Sequence, residues 1–95
     1  MADISVKDNP ERHRYEASID GTVAGFADYR IRDGHVVFTH TEVDDAFEGK
    51  GVGGALARAA LDDVRAQGRY DVVAQCPFIA KWIARHPDYQ DLLAA

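Results

Sequence analysis

The sequence predicts a single α+β domain with a mixed sheet: an antiparallel meander followed by a helix, a parallel strand and a C-terminal helix. Three observations lead to this class. Apolar and polar residues alternate with period two through residues 13–43, and two Asp-Gly pairs interrupt the alternation. A glycine-rich segment at residues 49–54 follows. Beyond it, apolar residues recur at helical spacing, with one β-branched run between two such segments.

The meander is predicted to contain three strands, at Arg14–Ile19, Thr22–Arg32 and His35–Val43. Asp20-Gly21 and Asp33-Gly34 join them as two-residue turns, because Asp and Gly tolerate positive φ. Strict alternation divides the third strand between two faces, with Val36, Phe38 and His40 on one and Val37, Thr39 and Thr41 on the other.

Two further features concern the edges and the regularity of this sheet. The apolar spacing slips around Gly25, between Val23 and Phe26, which indicates a β-bulge. The short segment Ile4-Ser5-Val6 is expected to add an edge strand.

The second half of the chain is predicted to form a helix, a strand and a helix. The first helix begins at Val52 and ends at Gly68. Its apolar face comprises Val52, Ala55, Leu56, Ala59, Ala60 and Val64. A strand at Tyr70–Cys76 lies parallel to the strand before the helix, because a helical crossover joins them. Pro77 then opens a second helix over Phe78–Arg85. The core face of this helix comprises Phe78, Ile79, Trp82 and Ile83, and a last helical turn follows at residues 89–93.

Composition excludes several classes of protein. The single cysteine, Cys76, cannot form an internal disulfide, which favours a reducing compartment and a cytoplasmic protein. No apolar run approaches the roughly 18 residues of a membrane span, so no membrane partner is expected. The N-terminus lacks the pattern of a signal peptide.

Charge is unevenly distributed along the chain. Residues 1–47 carry ten acidic residues (Asp and Glu) and five basic residues (Lys and Arg), whereas residues 48–95 carry six acidic and six basic residues. The acidic half predicts a cationic partner such as a protonated amine, and no nucleic acid. An acidic surface that only maintains solubility explains the same count.

The segment Glu48-Gly49-Lys50-Gly51-Val52-Gly53-Gly54 lies between a strand and a helix N-terminus, where backbone N–H groups suit a phosphate. A tight turn with close packing is the structural alternative. The P-loop pattern fails, because Ala55-Leu56 follow instead of Lys and Ser or Thr. The Rossmann pattern G-x-G-x-x-G is satisfied in letters, but antiparallel strands precede it and Asp71 begins the next strand rather than ending it.

The order of these motifs resembles the GNAT superfamily of acetyl-CoA-dependent N-acetyltransferases, and more closely its minimal YjdJ-type members. The resemblance covers about residues 10–93. It is carried by Thr39–Val43, by Phe47–Gly53, and by Cys76–Ile79 with Trp82 and His86-Pro87. Glu48 departs from the family pattern, which has Arg or Gln there.

The resemblance implies one acetyltransferase domain over residues 1–95, which transfers an acetyl group from acetyl-CoA to an amine of a small molecule or a protein. The pyrophosphate of coenzyme A would bind the amides of Lys50, Gly51, Val52, Gly53 and Gly54. The pantetheine arm would pair with the backbone near Glu42 and Val43, where the third and last strands separate. No metal is expected, because the histidines have no ligand spacing to one another or to Cys76.

Three residues are candidates for the chemistry. Cys76, at a helix N-terminus, is a candidate nucleophile that would carry the acetyl group, or else a small buried apolar residue. His40 is a candidate base for Cys76 or for the amine, or else a structural strand histidine. Tyr89 is a candidate acid for the leaving CoA thiolate, a role that tyrosine has in GNAT enzymes, or else a packing aromatic. Glu42, beside His40, is a candidate second base or a solvated strand residue.

Two other functions fit parts of the sequence. A non-catalytic CoA-binding or protein-interaction module would use the glycine segment without the candidate chemistry, and the short chain leaves little room for an enclosed acceptor pocket. A Rossmann-type nucleotide binder would bind NAD, and the antiparallel strands that precede the glycines argue against it.

Overall fold

A computed structural model describes residues 3–94 of the chain. Five strands form one sheet in the order β1 to β5: Ile4–Asn9 (β1), Arg14–Ile19 (β2), Thr22–Arg32 (β3), His35–Val43 (β4) and Asp71–Ala74 (β5). Two helices follow β4 and β5, namely Val52–Gln67 (α1) and Pro77–Ala84 (α2). Short 3-10 turns lie at Pro10–Arg12, Asp45–Phe47 and Pro87–Leu92. Strands β1 to β4 are antiparallel and β5 is parallel to β4, which confirms the predicted mixed sheet.

Both predicted hairpins are present. Asp20 and Gly21 have φ of 51° and 79°, and Asp33 and Gly34 have φ of 50° and 82°. Positive φ at both central residues is the type I′ geometry, whose twist matches that of the flanking strands. The bounds of β2, β3 and β4 therefore agree with the prediction, and the expected edge strand extends as far as Asn9.

Two bulges interrupt the sheet, and only one of them was predicted. Ala24 is the extra residue of β3, between the pairs Ala17–Gly25 and Ser18–Val23, which confirms the bulge expected near Gly25. The second bulge is on β4, where the pairs Asp28–His40 and Tyr29–Phe38 leave Thr39 unpaired.

The second bulge changes the faces of β4. Phe38 is buried in the core, whereas the His40 ring lies 6.2 Å from the ring of Phe26 on the opposite face. The predicted placement of His40 beside Phe38 is therefore wrong, because one inserted residue reverses the alternation of all that follow.

The hydrophobic core lies between one face of the sheet and the two helices. Ala17, Ala24 and Ala27 are fully buried and allow α1 to approach the sheet closely. Two predictions about the helices are corrected. In α1, Ala57 and Leu61 are buried while Ala55 and Ala59 are only half-buried, so the core face is rotated from the predicted one. In α2, Phe78 is 41% exposed rather than in the core.

The opposite face of the sheet carries polar and charged side chains. Its residues include Arg14, Glu16, Phe26, Asp28 and Arg30, which alternate with the buried residues of β2 and β3. Both helices lie on the other side, so no helix of residues 3–94 covers this open face. None of the described helices is long and apolar enough to cross a membrane.

Candidate functional site

The N-terminus of α1 presents backbone donors that lack partners inside the helix. The first helical hydrogen bond joins the Ala55 N–H to the Gly51 carbonyl at 3.0 Å, so the N–H groups of Val52, Gly53 and Gly54 precede it. Gly51 is the N-cap and has no side chain to accept from them. The first turn also contains no acidic residue. These amides and the dipole of a 16-residue helix form a site suited to an anion.

The segment that leads into the helix is exposed and needs glycine for conformational reasons. Gly51 has φ of 82°, and a Cβ built there would meet no atom within 4 Å. The backbone conformation, rather than crowding, therefore selects glycine at this position. Glu48 and Lys50 are exposed in the same segment and bring charges of opposite sign to the site.

Gly53 and Gly54 differ from Gly51 in what they contact. A Cβ on Gly53 would lie 2.8 Å from Phe78 Cζ, so this glycine allows the first turns of α1 and α2 to meet. A Cβ on Gly54 would lie 3.8 Å from the nearest atom, Trp82 Nε1. The predicted coenzyme-binding set thus includes one glycine, Gly53, with a packing function of its own.

Strands β4 and β5 separate beside this helix N-terminus. Their pairing ends at Phe38–Ala74, and the N–H groups of Gln75 and Cys76 both donate to the Phe38 carbonyl, at 3.0 and 2.9 Å. The predicted strand Tyr70–Cys76 is therefore too long, because the chain turns away at Gln75. Beyond Phe38, β4 pairs only with β3 among residues 3–94, which leaves one backbone edge of Glu42 and Val43 free.

Cys76 lies where the two strands diverge. It is the N-cap of α2, its thiol is free, and the residue is only 3% exposed. Its Sγ lies 3.3 Å from the Thr41 hydroxyl. Thr41 is a contact that sequence reasoning missed, since only the bulge at Thr39 turns Thr41 toward the side of Cys76.

The structure does not bring His40 to Cys76. His40 lies on the open face, where its Nε2 is 3.3 Å from Glu42 Oε1, and the two side chains are 57% and 62% exposed. Cys76 belongs to the core on the other side of β4.

Tyr89 has partners away from the glycine segment. Its hydroxyl donates to Asp62 Oδ1 at 2.7 Å and accepts from Arg58 Nη1 at 3.2 Å, both on α1 beyond its first turn. Its ring packs against Trp82, with ring centroids 4.9 Å apart. The hydrogen bond to Asp62 is the main cause that raises the pKa of Tyr89 above its ordinary value. These contacts fasten the C-terminal turn to α1.

Among residues 3–94, no cluster of three or more His, Cys, Asp or Glu side chains has the arrangement of a metal site. His35 pairs with Asp71, and His86 stacks on Trp82 with ring centroids 3.8 Å apart. Each of these two histidines therefore has a structural contact.

A strand, a glycine-rich turn, a helix with free N-terminal amides and a diverging parallel strand together define an α+β fold with an anion-binding site at a helix N-terminus. Solved structures share this fold. A GCN5-like N-acetyltransferase candidate from Staphylococcus aureus matches with a TM-score of 0.73 and 23% identity, over 100% of this chain and 92% of that one. The ribosomal-protein-alanine N-acetyltransferase of Brucella melitensis matches with a TM-score of 0.62 and 16% identity, over 99% of this chain and 92% of that one.

The ribosomal-protein-S18-alanine N-acetyltransferase of Escherichia coli matches with a TM-score of 0.61 and 16% identity, over 78% of this chain and 66% of that one. No curated protein sequence matches the chain significantly. The family model of the GCN5-related N-acetyltransferases matches residues 14–92. The chain belongs to this family, whose members use acetyl-CoA as the acetyl donor.

Proposed function

We infer that the chain binds acetyl-CoA at the junction of β4, α1 and β5 and transfers its acetyl group to the amine of a polypeptide. One observation supports this inference: two sets of backbone groups without hydrogen-bond partners within residues 3–94 lie beside each other. The free amides of Val52, Gly53 and Gly54 suit the pyrophosphate, and the adjoining glycine turn adds the amides of Lys50 and Gly51. The free edge of β4 at Glu42 and Val43 suits the amide groups of the pantetheine arm.

The two faces of the sheet suggest separate approaches for the two substrates. The glycine turn and α1 are on the helical side, whereas His40 and Glu42 lie on the open face. In the proposed reaction the acceptor amine approaches from the open face. His40 takes the amine proton and Glu42 stabilises the resulting imidazolium.

The bonds in this direct route balance without a further reactant. The amine nitrogen forms a bond to the thioester carbonyl carbon, and the carbon–sulfur bond breaks. Coenzyme A leaves as a thiolate and takes up a proton from solvent or from the protonated His40. Tyr89 is not assigned to this step, because its hydroxyl is held by Arg58 and Asp62.

A route through Cys76 is the second mechanism. Its support is the position of the thiol at the divergence of β4 and β5, with the Thr41 hydroxyl 3.3 Å away as a donor to the thiolate. Cys76 Sγ would bond to the acetyl carbon as the carbon–sulfur bond to CoA breaks, and the thiol proton would pass to the departing CoA thiolate. The amine would then bond to the acetyl carbon and displace the Cys76 thiolate, which would take up the amine proton. The burial of Cys76 favours the direct route, since the amine approaches from the other face.

An open acceptor site favours a polypeptide over a small metabolite. The face that carries His40 is uncovered, and a small amine would find few walls there. Two of the structurally similar proteins are named for acetylating an alanine of a ribosomal protein.

The reduced thiol of Cys76 suits a cytoplasmic location. The competing function is a CoA-binding module without catalysis.

Titration calorimetry with acetyl-CoA and CoA tests the site. We expect a dissociation constant below about 1 mM, which corresponds to a binding free energy of roughly −4 kcal/mol or better. Absence of binding would overturn the proposal. Mass spectrometry of peptide mixtures incubated with acetyl-CoA then tests transfer. Binding without any acetylated peptide would favour the non-catalytic module.

Variants separate the two mechanisms. His40→Gln is expected to reduce transfer at least tenfold while CoA affinity is retained, with His35→Gln at the other end of β4 as the control. Cys76→Ala is expected to leave transfer largely intact. Loss of transfer in Cys76→Ala, together with an acetylated Cys76 peptide in the wild type incubated with acetyl-CoA, would establish the covalent route instead.

A further inference from the structure

Three arginines near the open face have no partner in the described chain. Arg12, Arg30 and Arg32 are exposed, and none forms a hydrogen bond or an ion pair within residues 3–94. Arg14 and Arg65, by contrast, pair with Glu16 and Asp91. Three unpaired guanidinium groups in one region of a protein with a net charge of −5 form a local field of opposite sign.

Two adjoining cavities connect these arginines. The first, of about 580 Å³, lies between the Pro10–Arg12 turn and the end of β3, and its lining includes Arg12, Asp28, Arg30 and Arg32. The second, of about 350 Å³, is lined by Arg30, Arg32, Val37, Thr39 and Gln75. Arg30, Arg32 and Thr39 belong to both, so the two form one trough, which we call the arginine trough. Within the described part of the chain, Asp28 is the only carboxylate residue that lines it.

The arginine trough leads to the proposed reaction centre. It begins at Arg12, crosses β3 and β4, and ends at Gln75, the neighbour of Cys76 in the chain. His40, the proposed base, pairs with Asp28 across β3 and β4, beside the bulge at Thr39. An acceptor in the trough would therefore meet arginines first and the acetyl group at its end.

We propose that the arginine trough binds an acidic segment of the polypeptide acceptor, with carboxylates on Arg30 and Arg32 and the acetylated amine at the Gln75 end. The guanidinium groups offer forked donors that match carboxylates. Asp28, which pairs with the proposed base His40 across β3 and β4, is the one negative charge of the trough among residues 3–94 and lines its first cavity only. The position of the amine rests on the function proposed above, whereas the binding of carboxylates does not.

The strand geometry sets the expected spacing in the acceptor. Arg30 pairs with Val37, and Val37 pairs with Val73, two residues before Gln75. The path from Arg30 to Gln75 crosses two strand spacings and then follows two residues along the chain, so their Cα atoms lie about 12 Å apart. An extended peptide covers this distance in about four residues. Acidic residues are therefore expected at positions three to five of an acceptor that is acetylated at its N-terminus.

A polypeptide fits this trough better than a nucleic acid. Asp28 lines the trough together with Arg12 and Arg30 and would repel a continuous phosphate backbone. The chain as a whole is acidic, which opposes the binding of a nucleic acid with a negative charge at every nucleotide. A short acidic segment, with carboxylates only where the arginines lie, matches this distribution of charge.

Fluorescence anisotropy with three labelled probes tests the proposal. The first is a seven-residue peptide with a free N-terminus and glutamate at positions three to five, and the second has lysine at those positions. The third is a twelve-nucleotide single-stranded DNA. The full chain is compared with the double variant Arg30→Gln/Arg32→Gln and with the control Lys7→Gln/Arg69→Gln, which removes two exposed charges outside the trough.

We expect the glutamate peptide to bind the wild type, to lose about tenfold in affinity in Arg30→Gln/Arg32→Gln, and to change less than twofold in the control. The variant Arg30→Lys/Arg32→Lys is expected to retain part of the affinity. Equal binding of the lysine peptide, an unchanged affinity in the double glutamine variant, or tighter binding of the DNA would each overturn the proposal.

Titration of acetyl-CoA into the same samples separates this proposal from the proposed function. Binding of acetyl-CoA without binding of the glutamate peptide overturns the arginine trough alone. Binding of the glutamate peptide without binding of acetyl-CoA supports the trough and overturns the proposed function. An unchanged affinity for acetyl-CoA in Arg30→Gln/Arg32→Gln also shows that the variant is folded.

Discussion

The ring of Phe78 lies directly against Gly53: a Cβ built on Gly53 would fall 2.8 Å from Phe78 Cζ. This contact joins the first turn of α1 to the first turn of α2, so it connects the glycine turn with the helix that begins after Cys76. Gly54, the next residue, has ordinary space, since a Cβ on it would lie 3.8 Å from the nearest atom.

Alanine at these two positions is expected to have different effects. Gly54→Ala is expected to raise the free energy of unfolding by about 0.5–1 kcal/mol, because alanine favours the helix. Gly53→Ala is expected to have a free energy of unfolding about 1 kcal/mol lower than that of Gly54→Ala, because the Phe78 ring must move. Urea unfolding of both variants measures the difference. In a Phe78→Ala background the two substitutions should become equivalent, and equal effects in the wild-type background would contradict the argument.

The glycine at the N-cap of α1 is required for its backbone conformation alone. Gly51 has φ of 82° and open space around the missing side chain. Gly51→Ala is therefore expected to cost about 1–2 kcal/mol, whereas Gly51→Asn is expected to cost less, since asparagine enters the left-handed region more readily. Unfolding curves and calorimetric titration with CoA measure both effects. Identical losses in the two variants would show that the side chain, and not φ, disturbs the site.

The local parts of this fold were predictable because short-range physics decides them. Asp20-Gly21 and Asp33-Gly34 gave both hairpins, since few residues other than Gly, Asn and Asp adopt positive φ at both turn positions. The limits of α1 followed from the glycines at its two ends.

The contacts of β4 were not predictable, because they depend on its register with β3. A bulge at Thr39 turns Thr41 toward Cys76 and His40 away from it. No local pattern in the sequence marks that insertion. The charge count has a similar limit, since it places Arg30 and Arg32 in an acidic half of the chain without showing which residues lie beside them in the fold. Only the fold brings them together with Arg12 in one trough.

Glu48 lies in the exposed segment before the helix that we propose binds the CoA pyrophosphate. A carboxylate there opposes the binding of a diphosphate. Glu48→Gln is expected to tighten CoA binding about threefold at low salt, and Lys50→Gln to weaken it by a similar factor. Calorimetric titrations at about 20 mM and about 500 mM salt measure the effect, which should shrink at the higher salt. An affinity that Glu48→Gln leaves unchanged at low salt would place this side chain away from the ligand.

Tyr89 is expected to contribute to stability rather than to the chemistry. Its hydroxyl bonds with Asp62 and Arg58, and its ring packs on Trp82. Tyr89→Phe keeps the ring and removes both hydrogen bonds, so the free energy of unfolding should fall by about 1 kcal/mol. Acetyl transfer per folded molecule should stay within twofold of the wild type. A large fall in kcat with unchanged stability would instead assign Tyr89 as the acid for the CoA thiolate.

Tyr15 makes the free energy of unfolding depend on pH in the alkaline range. Burial, together with a 2.6 Å hydrogen bond to Asp63, raises the pKa of Tyr15 far above the ordinary value for tyrosine. The unfolded chain releases this proton near pH 10, whereas the folded chain keeps it. Above about pH 10 the folded state therefore binds more protons, and the free energy of unfolding falls by about 1.4 kcal/mol per pH unit from this residue.

The variant Tyr15→Phe isolates this effect, because phenylalanine has no proton to release. At pH 8 the wild type should exceed the variant in stability by about 1 kcal/mol, the contribution of the hydrogen bond to Asp63. That difference should hold below pH 10 and shrink as the pH rises to 11. Urea unfolding at pH 8, 9, 10 and 11 measures it, with circular dichroism to verify the fold of each sample. A difference that stays constant up to pH 11 would show that Tyr15 ionises equally in the folded and unfolded chains.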